Sequence, residues 1–199
     1  DLEGLLPVGI DMLRGVAAAL VSSMLLVPMT PAEEWRPPGP VASFEAFTTA
    51  FPKAPASGVA LELEGLTARL GIDLAPKDKR RDHPDPEAAT AYQAVAPAIR
   101  QYVDQQLAGA SERFDAPGGA VKGYLAEHGA TLDAIVAVAL GRREIAWDID
   151  VTAGLYAPTP HVLGQVRLQL VLAARALDEA RRPDSDAALR TVEAMWILV

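Results

Sequence analysis

The sequence predicts an all-α protein, a helical bundle or αα-hairpin array of about five to six helices, with an apolar N-terminal helix and one short extended connector. Three observations carry this. Half of the residues are hydrophobic but only 6% are aromatic, so the apolar content is mostly Ala, Leu and Val, which suit close helix packing. From Ser57 onward, apolar residues recur at helical spacing over most of the chain. The alternation of a strand occurs in a single run, residues 145–151, with no second run to pair with it. At 199 residues there is room for one well-buried core, and the chain divides into residues 1–38, an apolar helix with a Pro-rich connector, and residues 39–199, the helical domain.

Residues 15–29 read GVAAALVSSMLLVPM without a charge, and with residues 10–14 the run approaches the ~20 residues that a bilayer-spanning helix needs. Asp11 and Arg14 lie at its start, and Glu33, Glu34 and Trp35 follow its end. As a membrane anchor it would keep its basic side in the cytoplasm and the helical domain outside. The same run also suits a helix buried in a soluble core. A signal peptide beginning at Met12 is opposed by the residues that precede it. Residues 10–29 are therefore expected either to insert in a membrane or to be deeply buried.

Residues 30–40 are too dense in proline for regular helix and read as a semi-rigid connector. Phe44, Phe47 and Phe51 then suggest a short amphipathic turn. Ser57 is placed to cap a helix that buries Leu61, Leu63, Leu66 and Leu70, turns Glu62, Glu64 and Arg69 outward and stops at Gly71. Asp85-Pro86-Glu87 is a helix start: Asp accepts from free amides, Pro fits the first helical position, and Glu suits the positive end of the macrodipole. That helix carries Tyr92, Val95, Ile99, Tyr102, Val103 and Leu107 on one stripe, with Pro97 expected to kink it.

After a break at residues 109–119, Val121, Tyr124, Leu125, His128, Leu132, Ile135, Val136 and Ala139 form an apolar seam that passes through Gly129, which predicts one long helix ending at Leu140. Residues 144–151 read as an extended connector with Trp147 plugged into the helical body. Pro160 opens the next helix, with Leu163, Val166, Leu170, Ala173, Ala174 and Leu177 expected inside and Arg167, Arg175 and Arg181 outside. Arg182-Pro183-Asp184 breaks it, and Ser185 or Asp186 caps a final helix through Ala188, Leu189, Val192, Met195 and Trp196. The two form an αα-hairpin in which the small residues Ala173, Ala180, Ala187 and Ala188 allow close approach.

The formal net charge of −8 would repel a polyanion, which argues against nucleic acid as a partner. The basic knot at Lys77, Lys79, Arg80 and Arg81 is followed at once by Asp82 and Asp85 and has no aromatic to stack on a base. The chain has no cysteine, which excludes disulfides, thiolate metal sites and cysteine nucleophiles. His83, His128 and His161 lack a second ligand at helical spacing; His83 fits a turn, His128 a core seam and His161 packing or partial capping at a helix start. No phosphate-binding loop, dinucleotide fingerprint, nucleophile elbow or zinc-protease motif occurs, and no cofactor is implied.

Two functional readings follow. The first is a non-enzymatic helical interaction or scaffolding domain, held at a membrane if residues 10–29 are an anchor. Its main support is the terminal run Met195-Trp196-Ile197-Leu198-Val199, too apolar for one helix face to bury, so Trp196, Ile197, Leu198 and Val199 are expected to form a surface for a protein partner or for self-association. The alternative is an enzyme or a small-ligand or metal-binding protein with a site near residues 147–161. There Asp148 and Asp150 project to one side of an extended run, and Trp147, Tyr156 and His161 would surround an interhelical cleft.

Overall fold

The structure is a computed structural model that describes residues 56–75, 84–109, 114–141, 145–147, 161–182 and 186–198. The apolar segment 10–29, the Pro-rich connector, Phe44, Phe47 and Phe51, the basic knot and His83 lie outside the described residues. Among the described residues the fold is all-helical, with six helices and no strand: α1 (Gly58–Arg69), α2 (Pro86–Ala108), α3 (Gly119–Glu127), α4 (Gly129–Leu140), α5 (Val162–Ala180) and α6 (Asp186–Ile197). None of these helices is long and apolar enough to cross a membrane. They form one bundle in which α1 packs on α4, α4 on α6, α6 on α5, and α5 on α2, while α3 lies against α2.

Ser57 caps α1 as its residue type suggests, its Oγ accepting from the Ala60 amide at 3.2 Å. The same Oγ accepts from the Ala146 amide at 3.1 Å. The Ser57 amide donates in turn to the Ala146 carbonyl at 2.8 Å, so the lone extended run finds its partner at a helix cap, not in a sheet. Glu64, expected outside, is only 4% exposed. Core residues Leu63, Leu66, Thr67 and Leu70 surround its turn of α1, and the buried surface is wider than one stripe.

At the other end, Gly71 adopts φ 75°, and the amides of Gly71 and Ile72 donate to Ala68 and Thr67 carbonyls, both at 3.0 Å. This is the paired closure of a Schellman stop. A Cβ on Gly71 would run into the Ala88 carbonyl and lie 2.9 Å from Tyr92 Cβ, so this glycine also permits α2 to approach the end of α1.

In α2, Asp85 Oδ1 accepts from the Glu87 amide at 2.7 Å, and the helix runs unbroken through Pro97. Its stripe of Tyr92, Val95, Ile99, Tyr102 and Val103 is buried as expected. The chain then folds back: Tyr102 Oη donates to the Asp115 carbonyl at 3.1 Å, and the Asp115 amide donates to Gln106 Oε1 at 2.7 Å. Burial pushes the Tyr102 phenol up to about 12, with the Asp178 charge adding to the effect and Arg181 opposing it. A phenol whose folded pKa lies above its ordinary value of 10.0 contributes stability that is complete below pH 10.0 and is lost as pH rises through about 12. We therefore expect Tyr102 to ionise together with the loss of helical circular dichroism in this alkaline window. Ionisation near pH 10.0 with helicity retained would contradict that expectation.

The single long helix expected over residues 121–140 is instead two, α3 and α4, meeting at His128. The apolar seam hides the break because both halves bury the same side: Val121 and Tyr124 in α3, then Leu132, Ile135, Val136 and Ala139 in α4. Gly129, which costs about 1 kcal/mol relative to Ala within a helix, stands at the junction. Tyr124, one turn before the junction, is fixed in place. Tyr124 Oη donates to the Leu70 carbonyl at 2.7 Å, and its ring lies 4.4 Å, centroid to centroid, from that of His128.

The predicted αα-hairpin is α5 and α6, the most extensively packed pair in the bundle. The faces of α5 differ from those expected. Leu163 is exposed, while Leu168, Val171 and Leu172 are buried and Arg175 turns inward. The cause is that α5 is covered by α6 on one side and α2 on another, so its apolar surface is not one stripe. In α6, Ala188 and Ala194 are fully buried, whereas Ala187 faces outward.

Candidate functional site

Among the described residues, the buried charges between the two helices of the hairpin are paired, and the pairing holds α6 in place. Glu179 on α5 is 5% exposed, and Thr191 on α6 is buried. Glu179 Oε1 accepts from Arg175 Nε at 2.6 Å, and Oε2 accepts from Thr191 Oγ1 at 2.8 Å. Arg175 Nη2 reaches across to Asp133 on α4, so three helices meet in one network. Burial by itself would lower the pKa of the Arg175 guanidinium, but its bonds to Glu179 and Asp133 outweigh this and raise it. Arg175 Nη1 and Gln169 Oε1 are buried without a hydrogen-bond partner, while Gln169 Nε2 donates to the Met195 carbonyl at 3.1 Å. The order of these bonds along the two helices makes the hairpin antiparallel.

With its inner face held this way, α6 presents a defined outer face. Leu189 is 46% exposed, Trp196 50% and Ile197 40%, while Val192 and Met195 are buried. Three large apolar side chains are thus half-exposed on one short helix. Arg190 and Glu193 lie on the same outer side, and neither is engaged with another described residue. At the same end of the hairpin as Trp196 and Ile197, the first residues of α5, Val162 and Leu163, are 62% and 61% exposed.

The terminal run is thus divided in a way that the helical stripe did not foretell. Trp196, expected at the surface, is exposed, whereas Leu198, expected there as well, is half-buried and packs against the core. Val199 lies outside the described residues. Leu189, one of the apolar residues that define the final helix, is exposed as well.

Of the residues proposed around 147–161, Asp148, Asp150 and Tyr156 lie outside the described residues. Trp147 is half-buried against the core and not a fully enclosed plug. His161 caps α5: its Nδ1 accepts from the Gly164 amide at 2.9 Å, and its own amide donates to the Leu74 carbonyl at 3.2 Å. Gly164 allows that docking, since a Cβ there would collide with the Asp73 carbonyl. His161 is therefore committed to holding the start of α5 on residues 72–75.

Two clefts open between helices among the described residues. One, about 320 Å³, is lined by Lys122, Leu125, Leu132, Asp133, Arg175 and Arg182 among others. Most of its charges answer one another: Arg175 pairs with Asp133 and Glu179, and Asp178 with Arg181 at 2.8 Å and Arg182 at 2.9 Å. The other, about 330 Å³, lies between α2 and α3 beside Gln101, Gln105 and Gly118. No group of three His, Asp or Glu side chains suited to a metal ion occurs among the described residues. Compared with known proteins, the chain matches no family model, no curated protein and no solved structure.

Proposed function

We propose that this chain is a non-enzymatic helical interaction module whose docking face for a protein partner is the outer side of α6. The observation that carries the reading is the exposure of Leu189, Trp196 and Ile197 on a helix whose opposite face is tied into the core through Thr191 and Glu179. A helix held rigid on one side offers its apolar outer residues at little cost in ordering, which favours binding. In this reading residues 10–29, where they serve as an anchor, hold the module at a membrane. The alternative site near residues 147–161 draws less support, because His161 is occupied as a helix cap.

The test is a chain carrying Leu189→Lys and Trp196→Lys. Both side chains are half-exposed, so its unfolding free energy is expected to stay within about 0.5 kcal/mol of wild type. Proteins captured specifically by the wild-type chain in an extract of its own cells should be lost with the variant. An unchanged set of captured proteins would reject α6 as the docking face.

A further inference from the structure

We infer that the occupant of the α6 face is a second copy of this chain, docked α6 against α6, antiparallel, about a two-fold axis. The inference rests on the reading of α6 as a docking face, and what adds the partner is the self-complementary order of the exposed residues. At about 100° per residue, Leu189 and Trp196 fall on one edge of the outer face, Arg190 and Ile197 towards the other, and Glu193 between them.

A two-fold axis that relates antiparallel helices brings like edges together, so the face must complement itself. The Leu189–Trp196 edge does so. The two residues are two turns apart, and with the axis passing between Val192 and Glu193, Leu189 of each copy lies beside Trp196 of the other. In this register Arg190 of one copy is two residues, about 3 Å along the axis, from the level of Glu193 of the other. The two Glu193 carboxylates then meet near the axis with an Arg190 on each side. Arg190 and Glu193 are both exposed, and neither is engaged with a described residue of its own chain.

The charge arrangement supplies the test. The purified 199-residue chain should pass from monomer to dimer in sedimentation equilibrium between about 1 μM and about 1 mM. Arg190→Glu alone gathers four carboxylates at the axis and Glu193→Arg alone gathers four cations, so each should weaken association by about tenfold or more. An equimolar mixture of these two single variants should recover association, because a mixed pair restores an opposite charge at each position. Recovery of that kind cannot come from a change in folding of either variant alone.

A wild-type chain that stays monomeric throughout, or single variants that associate as wild type does, would overturn the second copy as occupant. So would failure of the mixture to recover. If the purified chain is monomeric while capture from extract still depends on Leu189 and Trp196, the second copy falls and the interaction module stands. If both fail, the docking face itself falls.

Discussion

Arg175→Ala is expected to destabilise the domain by about 3–5 kcal/mol, the range for breaking a buried ion pair by removing one partner. The wild-type guanidinium donates to Glu179, which is almost wholly buried between α5 and α6, and also reaches Asp133 on α4. Truncation leaves the nearly buried Glu179 carboxylate with the Thr191 hydroxyl as its one remaining described donor. The Asp133 carboxylate, by contrast, is 69% exposed and loses little.

Replacing the pair together, Arg175→Met with Glu179→Leu, should cost much less than Arg175→Ala, because no uncompensated charge remains and the hairpin core is already apolar. Urea unfolding of the single and double variants measures this directly. A single-variant cost below about 1 kcal/mol would mean that the network contributes little to holding α6. Because α6 carries the proposed docking face, the same variants should loosen that face before the rest of the bundle unfolds. Faster amide exchange in α6 than in α2 would report it.

Gly71→Ala is expected to cost about 2–6 kcal/mol, for two independent reasons. The residue sits at φ 75°, where an L side chain is strained by about 1–3 kcal/mol. Its new Cβ would also collide with the Ala88 backbone carbonyl, and relief of such overpacking costs roughly 1–3 kcal/mol more as the start of α2 is pushed away from α1. Gly123→Ala is the natural control, since nothing lies within 4 Å of a Cβ there and the position is inside α3. It should be neutral or stabilising by up to about 1 kcal/mol. Denaturant midpoints for the two substitutions that moved equally would reject the close approach of α2 to Gly71.

Much of the fold could be read from local chemistry. Ser57, Asp85 and Gly71 act as start and stop signals where their residue types place them, because a cap is completed by the next few amides and carbonyls along the chain. The stripe of α2 was equally legible, since that helix buries a single face. Misreadings arose where burial is not one-sided. Periodicity assigns each helix one inner face, yet α5 is covered by two neighbours, so Leu163 and Arg175 exchanged their expected sides. The α3–α4 break escaped for a related reason: a seam can continue across a bend when the same core receives both halves.

The candidate surface was legible in part. An apolar terminus signals that something must cover it, and this pointed to Trp196 and Ile197, while nothing in the period distinguishes them from Leu198, which packs inward, or adds Leu189 to the patch. The sequence by itself determined that the described fold is all-helical, where two of its helices begin and one of them ends, and that its final run carries more apolar surface than one helix face can bury. Tertiary structure decided which sides of α5 and α6 remain outside and which buried charges meet. The physical reason is range: caps and helix propensity act between residues a few positions apart, whereas exposure and charge pairing depend on which helices become neighbours.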